Sequence, residues 1–470
     1  MFFPNPKNLT PMNRKVLFLF VFFAPLILSA QSVDDVLKIL TEKKVITQEI
    51  ADSMRAESAI NRQNALPQNQ LIIDMEYRPR AETRRGYQQL PADSSLPTFF
   101  IGQRTRLNIN YEYSNQLSSR FSMQDLRIWG DSNPKGMQGS IQVFEAWVEP
   151  KLTQNLWLRI GRQKLVYDNE RLFSENNWRI GGNAHDAMTL RWEPGKLKTH
   201  LFGAFNQTSE MLSGTNYAPT GYTNYKSLLA LWVSYNLTDQ LTISSMNVMD
   251  GNQAKEYAEK IHQRFTHGIR ILQKTDSYSL SLTGYWQHGK NSKGVDLNAW
   301  YINPEGQIKY GQMNLKAGAE CMSGTSTKTK TEDNGFSTLY GSGHAFNGYL
   351  DLFTKFPNDN ANRGLLNPYA YITWQPSKKV EIMTSFHYFS TLEEVYKGTE
   401  IMDKSMGIEN DWIINWKPNN FTKLELGICY ADVTSTMEIV KGAQTGAADK
   451  TPWFIYTMLT IKPTLLKFKW

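Results

Sequence analysis

Residues Ile101–Tyr113, IGQRTRLNINYEY, decide the fold. Ile101, Thr105, Leu107, Ile109, Tyr111 and Tyr113 share one parity, and Gly102, Arg104, Arg106, Asn108, Asn110 and Glu112 share the other. Successive side chains point to opposite sides only in an extended chain, so this period of two predicts a strand with one apolar, aromatic-ended face and one charged face. Phe421–Tyr430 repeats the pattern, setting Leu424, Leu426, Ile428 and Tyr430 against Lys423, Glu425, Gly427 and Cys429. Leu156, Leu158 and Ile160 likewise alternate with Trp157, Arg159 and Gly161.

The connections between such strands fall into two length classes. The short class is rich in turn formers: Ser114–Ser118, Pro150–Asn155, Glu193–Lys196, Asn236–Gln240, Lys274–Ser277, Ile302–Gly306, Gln375–Lys379 and Lys417–Asn420. Longer polar stretches alternate with them: Arg84–Thr98, Gly130–Gly139, Val166–Ala184, Gln207–Asn224, Asp250–Lys260, His288–Gly294, Ser323–Gly364, Thr391–Ser405 and Asp432–Thr451. Nine long and eight short connections make seventeen, hence eighteen strands. Strict alternation of this kind is what a transmembrane antiparallel β-barrel requires, with tight periplasmic turns at one rim and long extracellular loops at the other. A soluble sandwich has no reason to sort its loops so. An even strand count places both chain ends on the periplasmic side.

Three stretches fit this plan less simply. Pro452–Lys462 is apolar on both faces, and Phe121–Trp129 changes parity near Gln124 as though bulged. Phe346–Thr354 looks like a strand but falls inside the longest connection, so residues 323–364 are expected to fold back into or over the pore.

Composition agrees once it is read as an average over two faces. The 470 residues include 13 Trp, 22 Tyr and 23 Phe, too many aromatics for a disordered chain. Mean hydropathy is nevertheless −0.46. A bundle of membrane helices is excluded, because only Val16–Ala30 approaches the run of about 18 apolar residues that a helical span needs. That run follows Lys7, Arg14 and Lys15 and ends in Ser29–Ala30, which makes residues 1–30 a signal peptide for export. Its removal lowers the formal charge from +7 by three, to +4, too little to suggest a nucleic-acid partner. Cys321 and Cys429 are too few for a disulfide scaffold, and the seven His show no metal-ligand spacing. No metal, cofactor or catalytic residue is expected.

Residues 31–70 precede the barrel, which is expected over 71–470. Val33, Val36, Leu37 and Leu40, then Ile46, Ile50 and Met54, fall at helical steps, with Thr47 placed to cap the second of two short helices. Asn61–Asn69 is a polar, Pro-containing linker. The segment 32–62 is either a loosely ordered amphipathic tail or a periplasmic helical hairpin for self-association or for a periplasmic partner.

A barrel of this size leaves a wide interior, so chemistry belongs to its inward face. Thirteen of the nineteen Arg lie between Arg78 and Arg191. Arg104, Arg106, Arg127, Arg159, Arg162 and Arg191 are the candidate pore-lining residues, because a guanidinium grips carboxylate or phosphate through paired hydrogen bonds. Asp125, Glu145 and Glu149 are their candidate acidic partners. Residues 71–200 hold 18 basic against 14 acidic groups, so bracing ladders compete with an anion path.

The segments FSMQDLRIWGD (121–131), FEAWVEP (144–150), LRIGRQKLVYDNERLF (158–173), HDAMTLRW (185–192), GTNY (214–217) with NYKSLLALW (224–232), and LYGSGHAFNGYLDLF (339–353) resemble the alginate export family of outer-membrane barrels, particularly its Bacteroidetes-type members. The resemblance implies a monomeric eighteen-stranded barrel in the outer membrane of a Gram-negative bacterium, with an electropositive conduit for an anionic polysaccharide. The matching positions are Arg127, Arg159, Arg162 and Arg191, with Asp125, Glu145 and Glu149 beside them. The helical extension at 32–62 departs from the alginate-exporting type. Three classes of function follow: a channel for anionic oligo- or polysaccharide and other organic anions, a general or inorganic-anion porin, and an outer-membrane hydrolase. The last has only His185–Asp186 to stand on, and these two point to opposite faces of a strand.

Overall fold

The computed structural model describes residues 33–43, 45–65, 69–131, 141–214, 225–254, 260–328 and 331–470; the expected signal peptide lies outside them. The chain divides into two units, 1–66 and 67–470. In the first, α1 (Val33–Glu42) and α2 (Gln48–Ala65) pack on each other with Leu37 and Ala51 buried. Thr47 Oγ1 accepts from the Ile50 backbone N–H, capping α2 as expected.

The second unit is a closed antiparallel barrel. Its strands are β1 (Gln70–Arg85), β2 (Thr98–Tyr113), β3 (Leu117–Ile128), β4 (Ile141–Thr153), β5 (Leu156–Gln163), β6 (His185–Trp192), β7 (Leu197–Phe205), β8 (Ser227–Asn236) and β9 (Leu241–Gln253). They continue as β10 (Ile261–Lys274), β11 (Tyr278–Lys290), β12 (Asp296–Tyr310), β13 (Met313–Met322), β14 (Leu365–Ser377), β15 (Val380–Ser390), β16 (Ser405–Asn419) and β17 (Thr422–Val433). The last strand, β18, runs Trp453–Ile461 and resumes at Thr464–Lys469 past Pro463. Each strand pairs with the next, and β18 pairs with β1 along both segments, which removes every free edge. The eighteen strands anticipated from loop spacing are all present.

Register fixes which residues face inward. Arg78 opposes Arg104 on β2, and Arg104 opposes Leu126 on β3, so the even-numbered residues of these strands share the lumen face. The outer face carries Tyr278, Tyr310, Trp374 and Trp416 towards the short turns and Trp129, Trp286, Trp300, Tyr388 and Tyr430 towards the long connections. Two such girdles flanking apolar residues mark the lipid-facing side of a membrane barrel.

Two expectations about local structure need correction. Ile302–Gly306 is not a turn: it lies inside β12, and the chain reverses at Gly311–Gln312, where Gly311 has φ +57°. Pro304 misled because it lacks an N–H, but β12 tolerates the missing donor. Asn303 and Pro304 drop out of the backbone ladder to β13, and Asn303 Nδ2 donates instead to the Ala319 carbonyl at 2.9 Å. The irregularity expected near Gln124 belongs to β4: β3 pairs evenly with β2, whereas Ser122 opposes Glu145 and Met123 opposes Val143, which leaves Phe144 as the extra residue.

The buried core lies inside the barrel. Phe173, Phe202, Tyr225, Tyr340, Leu350, Leu352, Phe353 and Phe356 form one cluster with inward residues of the wall. Much of it comes from residues 323–364, in which Phe346–Thr354 forms no strand. This packing explains the doubly apolar Pro452–Lys462 stretch. Inward Phe454 and Tyr456 of β18 meet Tyr87 and Trp178 at ring-centroid distances of 4.9 and 5.1 Å rather than an open lumen.

Candidate functional site

Inward arginines gather on one arc of the wall, with Glu76, Glu82, Glu145 and Glu149 among them. Arg78, Arg80, Arg84, Arg104, Arg106, Arg120, Arg159 and Arg191 line β1 to β6 by register. Glu305, Glu320, Glu381, Glu409, Asp411 and Glu425 line β12 to β17. Three connections, 86–97, 164–184 and 323–364, fold between these arcs and meet at one knot. Trp178 stacks on His344 with centroids 3.7 Å apart and donates through Nε1 to Tyr87 Oη at 3.3 Å. Asp351 accepts from both Tyr87 and His344.

The basic arc holds the apex of the 164–184 connection through its carbonyls. Arg78 donates to the carbonyls of Asn177 (2.7 Å) and Arg179 (3.0 Å), and Arg80 to that of Trp178 (2.9 Å). Arg104 reaches the carbonyl of Ile180 (3.2 Å), and Arg106 with Gln124 that of Gly181 (3.4 and 3.1 Å). Five consecutive carbonyls, 177–181, are therefore taken by side chains of three adjacent strands. Gly102 makes room for this approach, since a Cβ there would sit 2.6 Å from Ile180 Cδ1.

Two cavities flank the apex. One of about 690 Å³ opens on the short-turn side and is lined by Glu76, Arg78, Asn177, Lys378, Lys379, Lys417, Lys423 and Lys462 among others. The other, about 550 Å³, lies towards the long connections and includes Arg80, Trp178, Arg179, His344, Asp351 and Lys355. In the first, Glu76 is held by Arg104 and Lys462, and Lys423 by Glu425. Among the described residues no carboxylate lies within ion-pair distance of Lys378, Lys379 or Lys417.

The six candidate arginines divide. Arg104 and Arg106 face inward but are only 1% and 5% exposed, gripped by Glu76, Gln124, the loop carbonyls and the Phe144 ring. Arg159 and Arg191 face inward, half-exposed, and both bond Glu149 at 2.8 Å. Arg120, absent from the candidate set, pairs with Glu145 at 2.8 Å. Arg127 and Arg162 are corrected. Arg127 opposes Gln103 and Arg162 opposes Ala146, which puts both on the outer face, where they pair with Asp125 and Asp186. Asp125 leaves the set of lumen acids with them. β3 pairs evenly with β2, so the parity change expected near Gln124 does not occur and Asp125 and Arg127 stay outward; β5 alternates evenly too, which puts Arg162 on the same face as Leu158 and Ile160.

Sequence reasoning also passed over Arg78, Arg80 and Arg171. The first two were legible as an arginine pair at period two, bracketed by Glu76 and Glu82. Arg171 was not: it sits in a connection and forms a fully buried ion pair with Glu320 of β13 at 2.7 Å. The lysines of the short-turn cavity come from turns and strand ends far apart in sequence and carry no local signal.

Against known proteins, the family model described as alginate export matches residues 69–395. Pseudomonas aeruginosa OccK9 (OpdG) superposes with TM-score 0.59 at 12% identity, covering 84% of this chain and 98% of that one. Acinetobacter baumannii OccAB1 gives 0.55 at 11%, over 84% and 97%, and Pseudomonas aeruginosa OpdK solved with vanillate gives 0.53 at 11%, over 86% and 99%. At these identities the structures show a shared barrel fold. No curated protein matches in sequence.

Proposed function

The chain belongs to the alginate export family and is a channel of the Gram-negative outer membrane, and from that premise we propose that it conducts carboxylate-bearing saccharides or other organic anions. The observation that carries this reading is the short-turn cavity, where among the described residues Lys378, Lys379 and Lys417 have no carboxylate within ion-pair distance, while Lys423 and Lys462 are paired with Glu425 and Glu76. Unneutralised cations in a confined mouth raise the local concentration of anions and exclude cations. Partly exposed Arg84, Arg159 and Arg191, each paired with Glu82 or Glu149, lie along the same arc. One barrel of the same fold was solved with vanillate, itself a carboxylate, which supports the solute class.

No step of this function requires bond chemistry. The wall supplies an electrostatic path and the loops a size limit, in keeping with a channel rather than an enzyme. Reversal potentials across a KCl gradient in planar bilayers test it. Replacing Lys378, Lys379, Lys417 and Lys462 with Gln should lower the anion-over-cation permeability ratio several-fold. An unchanged ratio would reject the cavity as the selectivity element, and equal permeation of phosphate and uronate oligomers would favour a general anion porin.

A further inference from the structure

The basic arc already holds a ligand, and that ligand is the protein itself. Four guanidiniums and one amide donate to five successive carbonyls, 177–181, and every one of those acceptors is neutral. Arg104 and Arg80 have carboxylates of their own, Glu76 and Glu82, at 2.7 and 2.6 Å. Among the described residues Arg78 and Arg106 have no carboxylate within ion-pair distance. Arg78 is 6% exposed and bonds the Asn177 and Arg179 carbonyls, while Glu76 on the same face is taken by Arg104 and Lys462. Arg106 faces Gln124 Oε1, the Gly181 carbonyl and the Phe144 ring. Two buried cations thus rest against neutral oxygens, an arrangement in which an arriving anion has most to gain.

Access is one-sided. Arg78 and Asn177 line the cavity on the short-turn side, together with the lysines that gather anions there. On the other side Arg80 is committed to Glu82 and stacked on Trp178, its Cζ 4.1 Å from the ring centroid. A solute entering from the short-turn side therefore meets the exchangeable guanidinium first.

The geometry points to residues 177–181 as a built-in stand-in for the anionic solute. Carboxylates of an oligo-uronate entering from the short-turn cavity displace these carbonyls from Arg78 and Arg106 and release the loop apex, so that the cargo opens its own constriction. A carboxylate adds to the guanidinium's hydrogen bonds a full opposite charge and a paired, two-oxygen geometry that a single carbonyl lacks, so the exchange favours the solute without any new donor. Inward residues on one strand recur roughly every 6.8 Å, a spacing on which successive charges of one extended polyanion can engage several steps. The inference rests on the proposal that organic anions are the cargo. It adds that they act on the gate and from which side.

The test uses the full chain in planar bilayers, oriented and held in KCl, with a tetrameric uronate oligomer or a neutral tetrasaccharide added to either side. Uronate on the short-turn side should raise the open fraction or conductance at least twofold, while uronate on the far side and the neutral sugar leave it unchanged. Arg78→Gln with Arg106→Gln should raise basal conductance to the uronate-opened level and remove the response. Replacing residues 176–181 with a short Gly-Ser link, which leaves the wall intact, should do the same and covers the case in which the arginine variant does not fold. Simple block by uronate with anion selectivity retained would overturn the stand-in and keep the anion channel. So would equal effects from both sides, or an unchanged basal conductance in both variants. Loss of anion selectivity in the wild type would instead overturn the channel reading on which the inference stands.

Discussion

The two longest connections that enter the barrel are held in opposite ways. Residues 323–364 are held as a core is held: Leu350, Leu352, Phe353 and Phe356 have no exposed surface. The Leu352 carbonyl accepts from Lys441, and the buried Arg171–Glu320 pair closes over the Ser342 carbonyl, which Arg171 contacts at 3.2 Å. Residues 177–181 are held by donors to backbone carbonyls beside open cavities. Burying an aliphatic or aromatic side chain is worth about 1.5–3 kcal/mol, and nothing in solution replaces it. A hydrogen bond from a guanidinium is worth about 1.5–3 kcal/mol, but any better acceptor can take it over. One loop is therefore a structural plug and the other an exchangeable gate.

The strongest attempt to break this contrast is aimed at the plug. Arg171→Ala or Glu320→Ala leaves one buried charge without its partner and should cost about 3–5 kcal/mol. Leu352→Ala opens a cavity in the same packing and should cost about 2–5 kcal/mol. Heat-modified gel mobility in detergent, read as an unfolding midpoint, measures both. If each costs less than about 1 kcal/mol, the loop is not part of the core and the contrast fails. Arg106→Gln should cost less, about 1.5–3 kcal/mol, because it removes contacts to Gln124 and Gly181 without emptying packed volume. Its larger consequence should be electrical, a rise in basal conductance.

What the sequence discloses follows the same divide between wall and loops. Alternation in Ile101–Tyr113 is local, and the strand realises it residue by residue, with Arg104, Arg106 and Asn108 buried on the inward face. Loop lengths are also local, which is why the strand count could be read directly. The parity change expected within Phe121–Trp129 is absent, so Arg127 faces outward with Asp125, and plain alternation with Leu158 and Ile160 puts Arg162 outward as well. The constriction is assembled from segments 99 to 149 residues apart, as in Arg78 with Asn177 or Arg171 with Glu320. No periodicity announces such meetings. The candidate list accordingly contained the right residue type on the right strands but missed Arg78, whose role depends on what folds over it.

Acid should separate the two loops more gently. Glu175 lies in the 164–184 connection and pairs with Lys164 at 2.6 Å. Partial burial pushes its carboxyl up, but the hydrogen bond and charge of Lys164, with Arg106 and Lys462 further off, outweigh this and hold it below its ordinary value. A depressed carboxyl stabilises the folded loop above the ordinary carboxylate range, and that contribution is lost as pH falls through the depressed value. Both partners are partly exposed, so solvent screening limits the effect to under about 1 kcal/mol. Lowering pH through this range should raise basal conductance in the wild type, and Lys164→Gln should flatten the response. The plug variants should keep the full acid response, because they leave this pair intact.

The smallest effects should come from the arginines that touch neither loop. Arg127 and Arg162 face outward and pair with Asp125 and Asp186 at 2.6 and 2.9 Å, with side chains 42% and 40% exposed. An ion pair this open to solvent contributes little, so Arg127→Gln and Arg162→Gln should each leave the unfolding midpoint essentially unchanged. Neither should alter the anion-over-cation permeability ratio or the response to uronate, whereas neutralising inward Arg159 and Arg191 should lower the ratio. These variants remove the same charge from the same sector of the wall and differ only in the side the guanidinium faces. A fall in selectivity from Arg127→Gln or Arg162→Gln as large as that from Arg159→Gln would mean that total charge, not its inward placement, sets permeation. The distinction between a guanidinium that holds the gate and one that merely sits on the wall would then have no functional meaning.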